Sequence, residues 1–477
     1  MNGAEAREEI NLKAKAEEEV QVKVQMQVQG QAKGKAKAKA QVQAGDSATN
    51  RYDLVIRNAR MFGRGREGAE GAPFDIGIAG GVIAAIGELS GSGAAKAEEF
   101  DAGGRLLLPP FAEAHVHLDT TLTAGDPLWN ESGTLAEGIR VWTSRKAVLT
   151  KEDVVARAER TIRLYIGYGV QYLRAMVDIG DPKLVALEAV LELKERYREL
   201  LEIQVIAFPQ DGIESCPANE GRMAEALRLG ADGVSAVPHL ERTREEGVSS
   251  LRRAFAMAER AGAFVHVFCD ETDDESSRFL EVCASLAMAT GLGPRVAAAH
   301  VNAAAYYNEA YFHKVAGLVR QAGLSIVACP LINSVMQGRF DAYPKGRGIT
   351  RIREFSEAGV NVALAHDDMR TPFYPLGTGN PLDAAHMAAH LAHMCGRSEL
   401  AELVGMVTEG GAEAMRLGDR YGYREGAFRI GAPASFLLFD AEDARDLIGR
   451  RPAPRYVFRE GRLAAETAPP VARVWEG

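Results

Sequence analysis

The stretch Leu106–His117 (LLLPPFAEAHVH) is the first of eight apolar, strand-like runs, and their regular recurrence decides the fold. The others are Val170–Asp178, Ile203–Gln210, Gly233–His239, Phe264–Glu271, Val296–His300, Ser325–Pro330 and Val360–Asp367. Helical patterns separate them. Val155, Ala158, Ile162 and Tyr165 recur at helical spacing, as do Leu184, Leu187, Val190 and Leu191, and later Leu251, Phe255 and Ala258. Eight βα units in about 300 residues fit an α/β fold of the TIM (β/α)8 barrel type. A doubly wound sheet is the alternative, but no Walker A sequence follows an early strand.

Outside this region the texture changes. YDLVIRNARMF and FDIGIAGGVIAAIG read as short strands, with Gly80-Gly81 as a hairpin turn. Ala434–Phe439 reads as another strand, and Arg455–Phe458 followed by Glu460-Gly461 as a strand and turn. Two β-rich pieces at opposite ends of a chain predict one small composite β-sandwich, built from residues 51–107 and 421–477, with the barrel at 108–420. Residues 1–50 differ again. They run through EEEVQVKVQMQVQGQAKGKAKAKAQVQAG, with no aromatic before Tyr52, and read as a disordered low-complexity extension.

Composition sets limits. With 477 residues and 47% hydrophobic content the chain is neither wholly disordered nor a small disulfide scaffold. A count of 56 basic and 65 acidic residues, net −9, argues against a nucleic-acid binder. Strand-editing zinc deaminases pair H-x-E with P-C-x-x-C, a combination absent here. No run of 18 apolar residues predicts a membrane span. Five cysteines without CxxC spacing read as a reducing, cytoplasmic setting and no zinc–cysteine site.

In a barrel of this kind function sits where strands end. His115 and His117 are two apart in a strand, so both imidazoles face one side and can grip zinc or ferrous iron. The competing reading is a chance pair of hydrogen-bonded core histidines. Asp367 at the end of the last run supplies a facing carboxylate and favours the metal. Glu271 is a candidate proton shuttle, or else an acidic residue opening the next helix. His300 is placed to hydrogen-bond an attacking water, or is a buried structural histidine. Gln210 offers both donor and acceptor for an amide-like ring edge, or is a solvated loop residue.

These residues sit within longer motifs. PPFAEAHVHLDTTLTAG (Pro109–Gly125), WNESGTLAEGI, IQVIAFPQDGI, ALRLGADGVSAVPHLE, CDETDDESSRF, QGRFDAYPKGRGITR and HDDMRTPFYPLGTGNPL together resemble the metal-dependent cytosine deaminases of the amidohydrolase superfamily, over residues 52–470. The resemblance implies a TIM barrel with a composite β-sandwich. It implies one iron or zinc ion on His115, His117 and Asp367. Glu271 would be the shuttle, His300 would support the nucleophilic water, Asp368 would hold the substrate ring and Gln210 would recognise its amide edge. The implied reaction is hydrolytic deamination of cytosine to uracil, on a free small heterocycle, by a protein whose relatives are commonly homo-oligomeric.

One departure bears on all of this. The family places a metal-binding histidine in the pattern H-C-D-E, where this chain has Phe268-Cys269-Asp270-Glu271. His266, two residues earlier on the same face, would reach the ion only if the ion sank or the strand shifted. Phe373 replaces a family indole and lines the expected substrate pocket, and Met176 replaces a histidine. These changes keep two alternatives open: a hydrolase of another nitrogen heterocycle (isocytosine, a triazine, a cyclic imide), or a non-catalytic homologue.

Overall fold

The computed structural model describes residues 52–63, 72–90, 97–343, 345–346, 348–424, 426–470 and 472–475. The expected extension at 1–50 lies outside them. Eight parallel strands follow one another in chain order around a barrel: β1 (Phe111–Val116), β2 (Val170–Asp178), β3 (Glu202–Phe208), β4 (Gly233–Ala236), β5 (Phe264–Cys269), β6 (Val296–His300), β7 (Ser325–Ala328) and β8 (Val362–Leu364). A bridge between Val116 and Asp367 joins the first strand to the segment just after the last. These strands are almost wholly buried, which is why they read as unbroken apolar runs rather than alternating ones.

The intervening helices follow ordinary rules. Lys151–Gly167 starts at Thr150, whose hydroxyl accepts from Asp153 N–H, and buries Val154, Ala158, Ile162 and Tyr165. Arg244–Ala261 starts at Thr243 in the same way and ends on Gly262, whose φ of 62° is the left-handed conformation that terminates a helix.

The first apolar run is not one strand. Pro109 and Pro110 carry no N–H for a ladder, so the run breaks there. Leu106–Leu108 instead joins the second sheet and the barrel begins at Phe111. Leu106–Leu108 lies parallel to Leu54–Met61 on one side and antiparallel to Phe436–Phe439 on the other. It thereby ties the strands of the two chain ends into a single eight-stranded sheet. The Gly80-Gly81 hairpin turn forms between Phe74–Ala79 and Val82–Gly87, both glycines at positive φ (59° and 79°). Five other runs end earlier than their sequence suggests. β4 stops at Ala236 before Pro238, β7 stops at Ala328 because Pro330 opens the helix Pro330–Met336, β3 stops at Phe208, leaving Gln210 in a turn, and β5 and β8 stop at Cys269 and Leu364, leaving Glu271 and Asp367 just beyond their ends. No described helix is long and apolar enough to cross a membrane.

Candidate metal centre and active site

Four strand ends on one side of the barrel mouth converge. The ligating atoms of His115 (β1), His300 (β6), Cys329 (after β7) and Asp367 (after β8) all lie within 4.8 Å of one another, and all four residues are buried. His115 Nε2 is 3.7 Å from Asp367 Oδ1, and His117 Nε2 is 3.8 Å from the same oxygen. His115 Nε2, His300 Nε2 and Asp367 Oδ1 are out of solvent with no hydrogen-bond partner. A buried polar atom left without a partner costs roughly 1–3 kcal/mol. Three of them aimed at one point, two imidazole nitrogens and a carboxylate oxygen, are the donor set that suits zinc or ferrous iron. The residues present therefore fit a divalent ion.

The backbone is bent to achieve this. Asp270, His300, Val301 and Asp367 have φ of 52°, 69°, 50° and 66°. Left-handed backbone costs a non-glycine residue on the order of 1–2 kcal/mol, and here the cost falls at the ends of β5, β6 and β8.

Neighbouring groups decide which nitrogen carries the proton. Asn333 Oδ1 accepts from His300 Nδ1 at 3.4 Å, while Asn333 Nδ2 donates to Glu271 Oε1 at 3.4 Å. The His300 proton thus sits on Nδ1 and its Nε2 lone pair is free. His115 is set differently. Arg174 is fully buried, can only donate, and reaches His266 Nδ1 at 3.3 Å. The His266 proton is then on Nε2 and is donated to His115 Nδ1 at 2.8 Å. The His115 proton is left on Nε2, facing Asp367, and must depart before that nitrogen can ligate. Both nitrogens of His266 are engaged, so it supports His115 and is not itself placed to ligate.

Glu271 Oε1 is 3.6 Å from His300 Nδ1. Burial, and secondarily the charge of Asp368, push its carboxyl up to about 8. Asp368 is raised to about 7 by burial, despite hydrogen bonds from Thr371 and Thr120. Burial, then Asp368 and Glu271, raise Asp367 well above the ordinary carboxylate range. Burial likewise depresses His117 and His300 to about 3.

Of the residues expected from sequence, His115, His117, Glu271, His300, Asp367 and Asp368 are brought together. Gln210 is half-buried in the turn after β3, its N–H donating to Phe208 C=O at 3.2 Å. Phe373 packs over Gly138 and lines a separate cleft of about 200 Å³ with Trp129, Asn130 and Arg339. Phe268 stands beside the donors, its ring 4.8 Å from His115 and 5.7 Å from His117. With Met176, Ile206, Phe208 and Val237 it forms an apolar wall inside the barrel. A larger cavity of about 720 Å³, lined by Asn361, Glu409, Arg416 and Arg429, opens at the start of β8 and contains none of these groups.

Three neighbours of the cluster were not singled out from sequence. Asp119 lies 3.9 Å from His117 Nδ1 and accepts from Asp178 N–H at 2.8 Å. Its spacing of two from His117 was the available signal. Asn333 and Cys329 had none. Conversely, three acidic strand-end residues do structural work. Asp270 accepts from Phe279 N–H and Leu280 N–H at the start of a helix, Glu241 accepts from three backbone N–H groups at residues 213–215, and Asp178 pairs with Lys146 at 2.8 Å.

A family model described as "Amidohydrolase family" matches residues 98–465. Pterin deaminase from Rhizobium rhizogenes (strain K84 / ATCC BAA-868) is 27% identical over 403 residues, covering 83% of this chain and 88% of that protein. N-isopropylammelide isopropyl amidohydrolase from Pseudomonas sp. (strain ADP) is 27% identical over 418 residues, covering 86% and 97%. The crystal structure of 5-methylcytosine deaminase from Klebsiella pneumoniae, liganded with 5-fluorocytosine, superposes with a TM-score of 0.82 at 42% identity, covering 88% of this chain and 99% of that one.

Proposed function

The chain belongs to the amidohydrolase family and is a hydrolase of carbon–nitrogen bonds, and from that premise we propose that it deaminates a free cytosine-like pyrimidine, releasing ammonia. The observation that carries this reading is the placing of the Glu271 carboxyl 3.6 Å from His300, at the edge of a buried cluster of partnerless donor atoms. The 42% identity to a 5-methylcytosine deaminase supports the choice of ring.

His115, His117 and Asp367 would hold one zinc or iron ion, which when bound supplies the Lewis acidity that activates water at neutral pH. Burial and the Asp368 charge raise the Glu271 carboxyl, which favours its protonated form, and from there it would pass the proton to the amine that must leave as ammonia. Asn333 fixes both Glu271 and His300, so the proton-carrying oxygen and the free His300 Nε2 keep one relative geometry. Asp368, close to ordinary neutrality, would hold the ring by a ring N–H. Gln210 and Phe373 would bind the rest of the ring only if the loops carrying them close over it. The walls of the barrel interior exclude bulk water from the reacting atoms.

The apolar wall of Met176, Ile206, Phe208, Val237 and Phe268 favours a second reading, in which the ring is a pterin or an alkylated triazine, as the names of the two curated relatives suggest. A panel of cytosine, 5-methylcytosine, isocytosine, pterin and an N-alkylated ammelide, assayed for amine release by zinc- and iron-loaded protein, separates the two. Turnover of cytosine or 5-methylcytosine above the other three is expected. Turnover of none of the five at saturating metal would overturn both ring assignments.

A further inference from the structure

Phe268 removes a donor from β5, and its ring, stacked on Phe208, fills that flank of His115 and His300. The opposite flank offers a sulfur. Cys329 follows β7 at the C-terminal end of the strand, is completely buried, and places Sγ within 4.8 Å of the ligating atoms of His115, His300 and Asp367. A buried cysteine alone is an ordinary small apolar residue. This one shares its pocket with three buried donor atoms that have no other partner.

Resting on the reading above that a divalent ion binds here, we propose that Cys329 is a thiolate ligand that takes the coordination position Phe268 leaves empty. The ion is thereby drawn from the β5 side of the barrel towards β7. Thiolate is a strong ligand for zinc and iron, and gives up its proton to solvent on coordination. With His115, His117 and Asp367 it makes four protein donors, and one open position remains in a five-coordinate centre, an expansion zinc accepts. The cysteine count, read from spacing, could not disclose this, because the partners of Cys329 come from strands far away in sequence.

The test uses the full chain, stripped of metal and titrated with cobalt(II). One equivalent is expected to bind and to give the near-ultraviolet thiolate-to-cobalt charge-transfer band. Cys329→Ser, nearly isosteric, should lose the band and bind cobalt at least tenfold more weakly, whereas Cys395→Ser, at an exposed position, should keep both. Zinc-edge X-ray absorption on the unmutated protein needs no variant and should show one sulfur at about 2.3 Å. Stoichiometric metal without a band or a sulfur neighbour would overturn the role of Cys329 and leave the metal-dependent hydrolase standing. A band that survives in Cys329→Ser would also overturn it. Failure of the unmutated chain to bind either cobalt or zinc would overturn the metal reading itself, and this proposal with it.

Discussion

Phe268 stacks on Phe208 with ring centroids 4.2 Å apart and planes 19° from parallel. The pair occupies the β5 side of the donor cluster, where a ligand from that strand would otherwise point. Phe268→His should therefore trade packing for coordination. Loss of the aromatic pair costs about 0.5–1.5 kcal/mol, read as a lower Tm of the metal-free protein. Zinc affinity and ammonia release should each rise, affinity at least tenfold. Unchanged metal content and turnover would show that the site does not lack a β5 ligand.

The His266–His115 contact leads to a second prediction. The buried Arg174 directs the His266 proton towards His115, which leaves His115 protonated on the nitrogen that faces Asp367. An acceptor at position 266 would reverse this. His266→Asp, paired with Arg174, should accept from His115 Nδ1 and free Nε2. Partners of this kind commonly change metal affinity by about 10–100-fold, so chelator competition should show tighter zinc binding of that order. Equal or weaker binding would mean that the His115 proton does not limit loading.

How far these arrangements were legible in the sequence follows from where each signal lies. β2 (Val170–Asp178) and β6 (Val296–His300) could be read to the residue, because strands buried on both faces are continuous apolar runs between polar stops. Leu106–His117 misled because its apolar character continues through Pro109 and Pro110 while its hydrogen bonding does not. The His115–His117 spacing has a local meaning in a strand, and so does Asp119, two residues further on. Cys329 and Asn333 have no such local pattern. Their roles depend on the register of β7 against β6 and β8, which brings residues about 30–40 positions apart into contact. Asp178, Glu241 and Asp270 look catalytic by position alone, yet each is consumed by a lysine or by backbone N–H groups, and only side-chain direction distinguishes them from Glu271.

Glu271 is separable from the metal. Glu271→Gln keeps an oxygen to accept from Asn333 Nδ2 but can neither hold nor release the proton required by the leaving amine. Deamination should fall about 10²–10⁴-fold, the usual range for a lost general acid–base group. Metal content by elemental analysis should not change. Retention of the parental rate would remove Glu271 from the mechanism and leave His300 or Asp368 as the proton carrier.

The composite sheet has its own pH dependence. Asp75 accepts from Arg57 Nη1 at 2.7 Å, from Asn58 N–H at 3.2 Å and from Leu89 N–H at 3.2 Å. Partial burial alone would raise its carboxyl, but Arg57 and the two backbone donors outweigh it and hold the group below the ordinary aspartate value. A carboxylate with a depressed folded-state pKa stabilises the fold above its unfolded value of about 3.9, and this contribution is lost as pH falls through the folded value. Asp75→Asn should therefore lower stability at pH 7, by about 1–2 kcal/mol for charge-assisted bonds in a partly exposed position. The difference from the parent should shrink towards zero as pH falls below the ordinary aspartate value and through the depressed folded one, where the parental Asp75 is itself protonated. Urea unfolding at several pH values measures this directly. A constant difference across the range would mean that Asp75 acts by packing and not through its charge.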